Sequence, residues 1–214
     1  KDSFLALDQM VQIARMKGLE GICITDHDSM GLKEYAAEYS KDTGFPIFVG
    51  IEYYSLQGDI VAFGIEDYPT ERIPAQDFID LVNAQAGVCF AAHPFRNNNR
   101  GLEENLRKVK GLHGLEVLNG STSVEACQKA ARYAAELGLF TLGSSDCHVP
   151  EKVGVCATYF PEKFHTMEGF LDAFRKGQMK PAYYAGGKYH VLELKEQQKS
   201  KIPFTFYAFN DRMY

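Results

Sequence analysis

Gly21-Ile22-Cys23-Ile24-Thr25-Asp26-His27-Asp28 is the stretch on which the fold is decided. A short apolar, β-branched run bounded by glycine reads as a buried strand. This one breaks off in three residues that bind metal or carry protons. The same design occurs three more times. Pro46-Ile47-Phe48-Val49 leads into Gly50-Ile51-Glu52, Gly87-Val88-Cys89-Phe90 into Ala91-Ala92-His93-Pro94, and Leu139-Phe140-Thr141-Leu142 into Gly143-Ser144-Ser145-Asp146-Cys147-His148. Where buried parallel strands alternate with helices, ligands collect at the strands' carboxyl ends. Packing alone gives no reason for His, Asp and Glu to arrive there four times, so the pattern points to a metalloenzyme.

The segments between these runs carry helical spacing. Met10, Val11 and Ala14 form a stripe that Gly18 stops, and Leu32, Tyr35, Ala36 and Tyr39 form another before Gly44. Val61-Ala62-Phe63-Gly64 reads as a further strand after the Gly58-Asp59 turn, and Pro74 opens a helix bearing Phe78, Leu81 and Val82. A short helix is expected around Leu102, Leu106 and Val109, and a strand at Leu115-Glu116-Val117-Leu118. Ser123 caps a helix that Gly138 ends, Val153 to Phe160 is a strand, and Thr166 caps a helix that stops at Gly177. From Gly186 onward the rhythm breaks. One domain is therefore expected, with residues 1–185 as an α/β barrel and 186–214 as an extension packed on it.

Composition narrows the class. With 45% hydrophobic and 24% charged residues, the 214-residue chain matches a soluble globular domain. A net charge of −5 argues against a long nucleic-acid footprint, which needs a basic face. No run approaches the ~18 apolar residues of a membrane span and no signal-peptide pattern opens the chain, so a cytoplasmic enzyme is the plain reading. Five cysteines without paired spacing argue against a disulfide framework. Cys23, Cys89, Cys127 and Cys156 are expected to be buried thiols, with Cys147 set apart only by its place between Asp146 and His148.

In order and spacing, Thr25-Asp26-His27-Asp28 with Gly31, Gly50-Ile51-Glu52, Ala92-His93-Pro94 and Ser145-Asp146-Cys147-His148 resemble the PHP superfamily, the polymerase and histidinol phosphatase domains. The resemblance covers residues 1 to about 184. It implies a distorted (β/α)7 barrel of the TIM type, with two or three divalent metals (Mn, Zn or Fe) in the carboxyl-end cleft and hydrolysis of phosphate esters. By motif it makes His27, Glu52, His93, Asp146 and His148 metal ligands, with Glu52 able to bridge two metals. Asp26 and Asp28 flank His27 as outer carboxylates that orient it.

The sequence departs from the family pattern twice. That pattern opens with a strand ending in His-x-His and then an aspartate. Here the chain starts at Lys1-Asp2-Ser3, past the strand, so Asp2 matches the aspartate as a further metal ligand. Either a first strand precedes Lys1 or this member lacks it, and the former is favoured because an open barrel edge would expose backbone groups. Second, the loop after Glu116 carries Asn119-Gly120-Ser121-Thr122-Ser123, without the ligating His of some relatives, which puts a three-metal site in doubt.

Imidazole and carboxylate donors suit Zn, Mn and Fe(II). Paired metals neutralise phosphoryl oxygens and lower the pKa of water from ~15.7 towards ~7, giving a hydroxide nucleophile at neutral pH. Nothing in the chain resembles a nucleophile elbow or a P-loop. Arg96 and Arg100, in the loop after His93, are the candidate phosphate binders, and Arg96 is also a candidate for the catalytic step together with Asp26. The expectation is a phosphatase acting on a small phosphorylated metabolite or nucleotide. The alternatives are a non-catalytic binding or assembly module of the same fold with a degraded metal site, and a related amidohydrolase that lacks the expected ligating lysine.

Overall fold

β2 (Ile47–Tyr54) organises the fold because almost every residue in it is buried. Its alternating side chains supply two different cores. Ile47, Val49, Ile51 and Tyr53 face one cluster, and Phe48 faces a second cluster built with Val61, Phe63, Phe90, Leu142, Phe170 and Phe174. Gly50 is required between them. A Cβ there would lie 2.4 Å from the Ala62 carbonyl and 2.6 Å from the Phe63 ring, so only glycine lets that ring cross the strand.

The structure is a computed structural model that describes residues 5–194. Helix α1 (Leu7–Met16) precedes β1 (Ile22–His27), and α2 (Lys33–Thr43) crosses from β1 to β2, which pair in parallel. β3 (Asp59–Phe63) returns antiparallel to β2, then α3 (Ala75–Ala84) leads to β4 (Val88–Ala91), antiparallel to β3. β5 (Gly114–Asn119) and β6 (Phe140–Ser144), joined by α4 (Val124–Leu137), continue the sheet in parallel. A second, antiparallel sheet holds β7 (Cys156–Tyr159), β8 (Lys180–Ala185) and β9 (Lys188–Val191), with α5 (Met167–Lys176) between β7 and β8. Side chains join the sheets: the Thr158 hydroxyl donates to the Gly143 carbonyl at 2.7 Å, and Ser145 Oγ donates to the Cys156 carbonyl at 2.6 Å.

The expected helix ends are found. Ser123 accepts from the Ala126 N–H and Thr166 from the Gly169 N–H, while Gly138 and Gly177 take the left-handed cap conformation. The mixed α/β class holds, but the described residues do not close a seven-stranded barrel. They form a curled six-stranded sheet with β1 at its edge, beside a separate three-stranded sheet. A parallel neighbour needs a crossover of a dozen residues or more, and only the short Ser55–Gly58 turn separates β2 from β3, so β3 must run back. The expected helix near Leu106 is a single 3-10 segment, Glu103–Arg107, and the strand expected from Val153 shortens to Cys156–Tyr159. The start of the C-terminal extension is β9, paired with β8; its remainder beyond residue 194 lies outside the described residues, as does Asp2. All five cysteines are free, and Cys23, expected to be buried, is exposed. Among the described residues no helix is long and apolar enough to cross a membrane.

Candidate metal centre

Parallel pairing sets His27 of β1 directly beside Glu52 of β2, and the His27 Nδ1 to Glu52 Oε2 distance is 3.3 Å. The other carboxylate oxygen of Glu52 accepts from His93 Nε2 at 2.8 Å. Facing a carboxylate, that nitrogen carries the ring proton. Asp59 Oδ2 stands 3.6 Å from the same nitrogen. Glu52, Asp59 and His93 are all buried, and each offers a donor atom within 4.8 Å of the others. Sequence reasoning missed Asp59. It had been read as part of a turn, yet it is the first residue of β3, and antiparallel pairing delivers the start of that strand to the carboxyl ends of its neighbours.

His93 is held in place by a buried acid. It adopts a left-handed backbone with φ 27°, costly for a residue bearing a Cβ. Its backbone N–H donates to Glu116 Oε2 at 2.7 Å, and Asn119 Nδ2 donates to the same oxygen at 2.9 Å. Asp28 (φ 51°) and Asp146 (φ 46°) are also left-handed, so three residues at the strand ends share this strain. His93 Nδ1 is buried and has no hydrogen-bond partner.

Two arginines close the cluster. Arg100 grips Asp59 with both ends of its fork, Nε to Oδ2 at 2.7 Å and Nη2 to Oδ1 at 2.8 Å, while Nη2 also lies 3.2 Å from His27 Nδ1. The chain folds back to permit this because position 101 is glycine: a Cβ there would meet the Pro94 carbonyl at 2.2 Å. On the opposite side Arg96 binds Asp146 directly, and its Nη2 donates to Asn119 Oδ1 at 2.7 Å. His148 Nδ1 lies 3.7 Å from Asp146 Oδ1, and its ring is 6.3 Å from that of His27. A cavity of about 580 Å³, lined by His27, Glu52, Glu116, Asp146 and His148 among others, reaches from this centre along the aromatic interior.

The sequence-derived ligands thus fall into two neighbouring groups, His27, Glu52 and His93 in one, Asp146 and His148 in the other. Asp26 joins neither. It shares the face of β1 that Ile22 and Ile24 turn to the helical core, and it is exposed, which corrects the expectation that it orients His27. Asp28 accepts from the Tyr54 N–H at 2.8 Å and so braces β2. Arg96 and Arg100, expected to be free for phosphate, are both spent on aspartates. Cys147 packs against the core cluster on the helical side.

Burial and charge set the protonation preferences. Burial pushes the Asp59 carboxyl up, and the Glu52 charge adds to this against the opposing pull of Arg100. Burial likewise raises Glu116, helped by Asp146. For Asp146 burial also pulls upward, but the charge and hydrogen bond of Arg96 outweigh it and hold the carboxyl low. Burial would lower His93, yet the hydrogen bond to Glu52 and the Glu116 charge raise it. The Glu52–Asp59–His93 group is an acid-rich pocket favouring positive charge.

A PHP-associated family model matches residues 124–179, which include Asp146 and His148. The uncharacterized protein MJ1587 of Methanocaldococcus jannaschii is 24% identical over 110 residues, 51% of this chain and 64% of that protein, so the chain spans less than two thirds of that relative's length. A candidate metal-dependent phosphoesterase from Bifidobacterium adolescentis superposes with a TM-score of 0.60 at 19% identity, covering 70% of this chain and 84% of that one. The lesion-specific endonuclease PfuEndoQ of Pyrococcus furiosus gives 0.61 at 17% identity, covering 82% and 52%. The PHP resemblance seen in the motifs is borne out by the family match and the shared fold. These comparisons do not support the expectation that nucleic acid is an unlikely substrate.

Proposed function

We propose that the chain is a metal-dependent phosphoester hydrolase of the PHP type, with Glu52, Asp59 and His93 at the heart of the metal site and His27, Asp146 and His148 completing its wall. One observation carries this reading: three buried donors of the right chemistry converge within 4.8 Å, in a pocket whose acids outnumber its arginines. Oxygen and imidazole donors suit Mn, Zn or Fe(II). Glu52, Asp59 and His93 would hold a divalent metal, which would supply charge for the phosphoryl oxygens and acidify a water for attack. The protein's own part is positioning. Glu116 fixes the strained His93 backbone, and Asn119 links Glu116 to Asp146.

The test is metal analysis after loading with Mn²⁺ or Zn²⁺, paired with phosphate release from a panel of monoesters and a phosphodiester. Retained metal and release that both vanish in His93→Ala support the reading; a protein that retains no metal overturns it. A second reading, a binding module, draws on the arginines that already neutralise Asp59 and Asp146. It predicts no phosphate release from any member of the panel.

A further inference from the structure

Arg72 is the cation beside the centre that the ligand wall leaves unused. Arg100 and Arg96 are bound to aspartates, whereas Arg72 is exposed and forms no ion pair with any described residue. A loop arginine in that position is ordinarily a solvated side chain whose entropy resists any fixed place. Here the backbone on both sides of it is pinned and the side chain lies on a ring. The hydroxyl of Tyr53 donates to the Glu71 carbonyl at 2.5 Å and accepts from the Ile73 N–H at 2.9 Å, bracketing Arg72 on either side. Tyr53 is itself buried and stacked on Phe78 with centroids 4.1 Å apart. The Arg72 guanidinium then lies 3.7 Å from the centroid of the Tyr54 ring, and Arg100 lies 4.3 Å from the same centroid.

Two guanidiniums sharing one ring repel each other. Asp59 balances Arg100, and no described residue forms an ion pair with Arg72. The same ring ties Arg72 to the metal centre, because Arg100 also touches His27 and Tyr54 follows Glu52 by two positions, ~7 Å along an extended strand.

We propose that Arg72, held on Tyr54, is a subsite for a second oxyanion of the substrate, a phosphate or carboxylate a few bonds from the scissile phosphate. The proposal rests on the phosphoester reading and deepens it by naming a doubly anionic substrate class. Arginine's planar fork suits such a group, and a pinned fork loses less freedom on binding it.

The experiment is calorimetric binding to Mn²⁺-loaded protein, with matched free Mn²⁺, of glycerol 3-phosphate, 3-phosphoglycerate and glycerol 1,3-bisphosphate. Both two-anion probes are expected to bind about tenfold more tightly than glycerol 3-phosphate. Arg72→Ala is expected to abolish that preference while leaving glycerol 3-phosphate unchanged. The bisphosphate and the phosphoglycerate distinguish phosphate from carboxylate as the preferred second group. Equal binding of all three probes by the unaltered protein, or a preference that survives Arg72→Ala, overturns the subsite while the phosphoester reading stands. Failure to bind any of them overturns both.

Discussion

On the β2–β4 side of the cleft Arg100 grips Asp59; on the β5–β6 side Arg96 grips Asp146. The pairs look alike and their carboxyls move in opposite directions, Asp59 up and Asp146 down. The difference lies in the company each keeps. Asp59 is wholly buried, takes hydrogen bonds only from Arg100 among the described side chains, and faces Glu52 across His93. Asp146 has Asn119 as a second donor and is not fully enclosed. Each wall sets two acids against one arginine, Glu52 and Asp59 against Arg100 and Glu116 and Asp146 against Arg96, so depth and hydrogen bonding rather than charge count separate the two aspartates. The proposed metal site is the deeper one, where Glu52, Asp59 and His93 each offer a donor atom within 4.8 Å of the others.

Removing the arginines gives the largest contrast. Arg100→Ala leaves a fully buried carboxylate beside Glu52 without its partner, a change that typically costs ~3–5 kcal/mol. Arg96→Ala leaves Asp146 with Asn119 and some solvent, and about 1–2 kcal/mol is expected. Urea unfolding of the metal-free protein measures both, and Asp59→Asn in the Arg100→Ala background is expected to recover much of the loss. Equal costs for the two arginines would erase the distinction between the walls.

Metal affinity sharpens the comparison next. Glu52→Gln removes a carboxylate in contact with both His27 and His93, so affinity for Mn²⁺ is expected to fall by at least ~100-fold. Asp146→Asn is expected to lower it by ~10-fold or less, since Asp146 is less deeply buried and already shared between Arg96 and Asn119. Titration calorimetry on the two variants decides it, and a larger loss in Asp146→Asn would move the centre to the other wall.

What the sequence makes legible follows from the same geometry. His27, Glu52, His93 and Asp146 stand at the ends of apolar runs, and the rule that sites gather at the carboxyl ends of parallel strands finds them. Asp59 escapes that rule because it begins a strand, and only the antiparallel return of β3 brings a beginning to where its neighbours end. The Gly58-Asp59 turn announces the return, but placing Asp59 in the turn rather than at the start of β3 hides where its side chain arrives. Asp26 misleads for the complementary reason. It is next to His27 in the chain, and the period of two in a strand puts neighbours on opposite faces. Arg96 and Arg100, expected to be free for phosphate, are tied to aspartates 50 and 41 residues away, which no local pattern shows. Arg72 has no motif at all; the backbone beside it is held by the hydroxyl of a tyrosine 20 residues before Ile73.

The smallest effect is in the pH dependence of the metal-free protein, and there the two walls should part in sign. A carboxyl lowered on folding, as in Asp146, contributes stability that is present above its unfolded pKa of about 3.8 and is lost as pH falls through the folded value. A carboxyl raised on folding, as in Asp59, contributes stability that is complete below about 3.8 and is lost as pH rises through its folded value. Asp146→Asn should therefore flatten the acid limb of a stability profile, and Asp59→Asn should relieve the decline on the side above pH 3.8. The observable is the slope of urea-unfolding free energy against pH, compared variant by variant, so that a uniform loss of stability cancels. If both variants flatten the same limb, depth and hydrogen bonding do not distinguish the two aspartates.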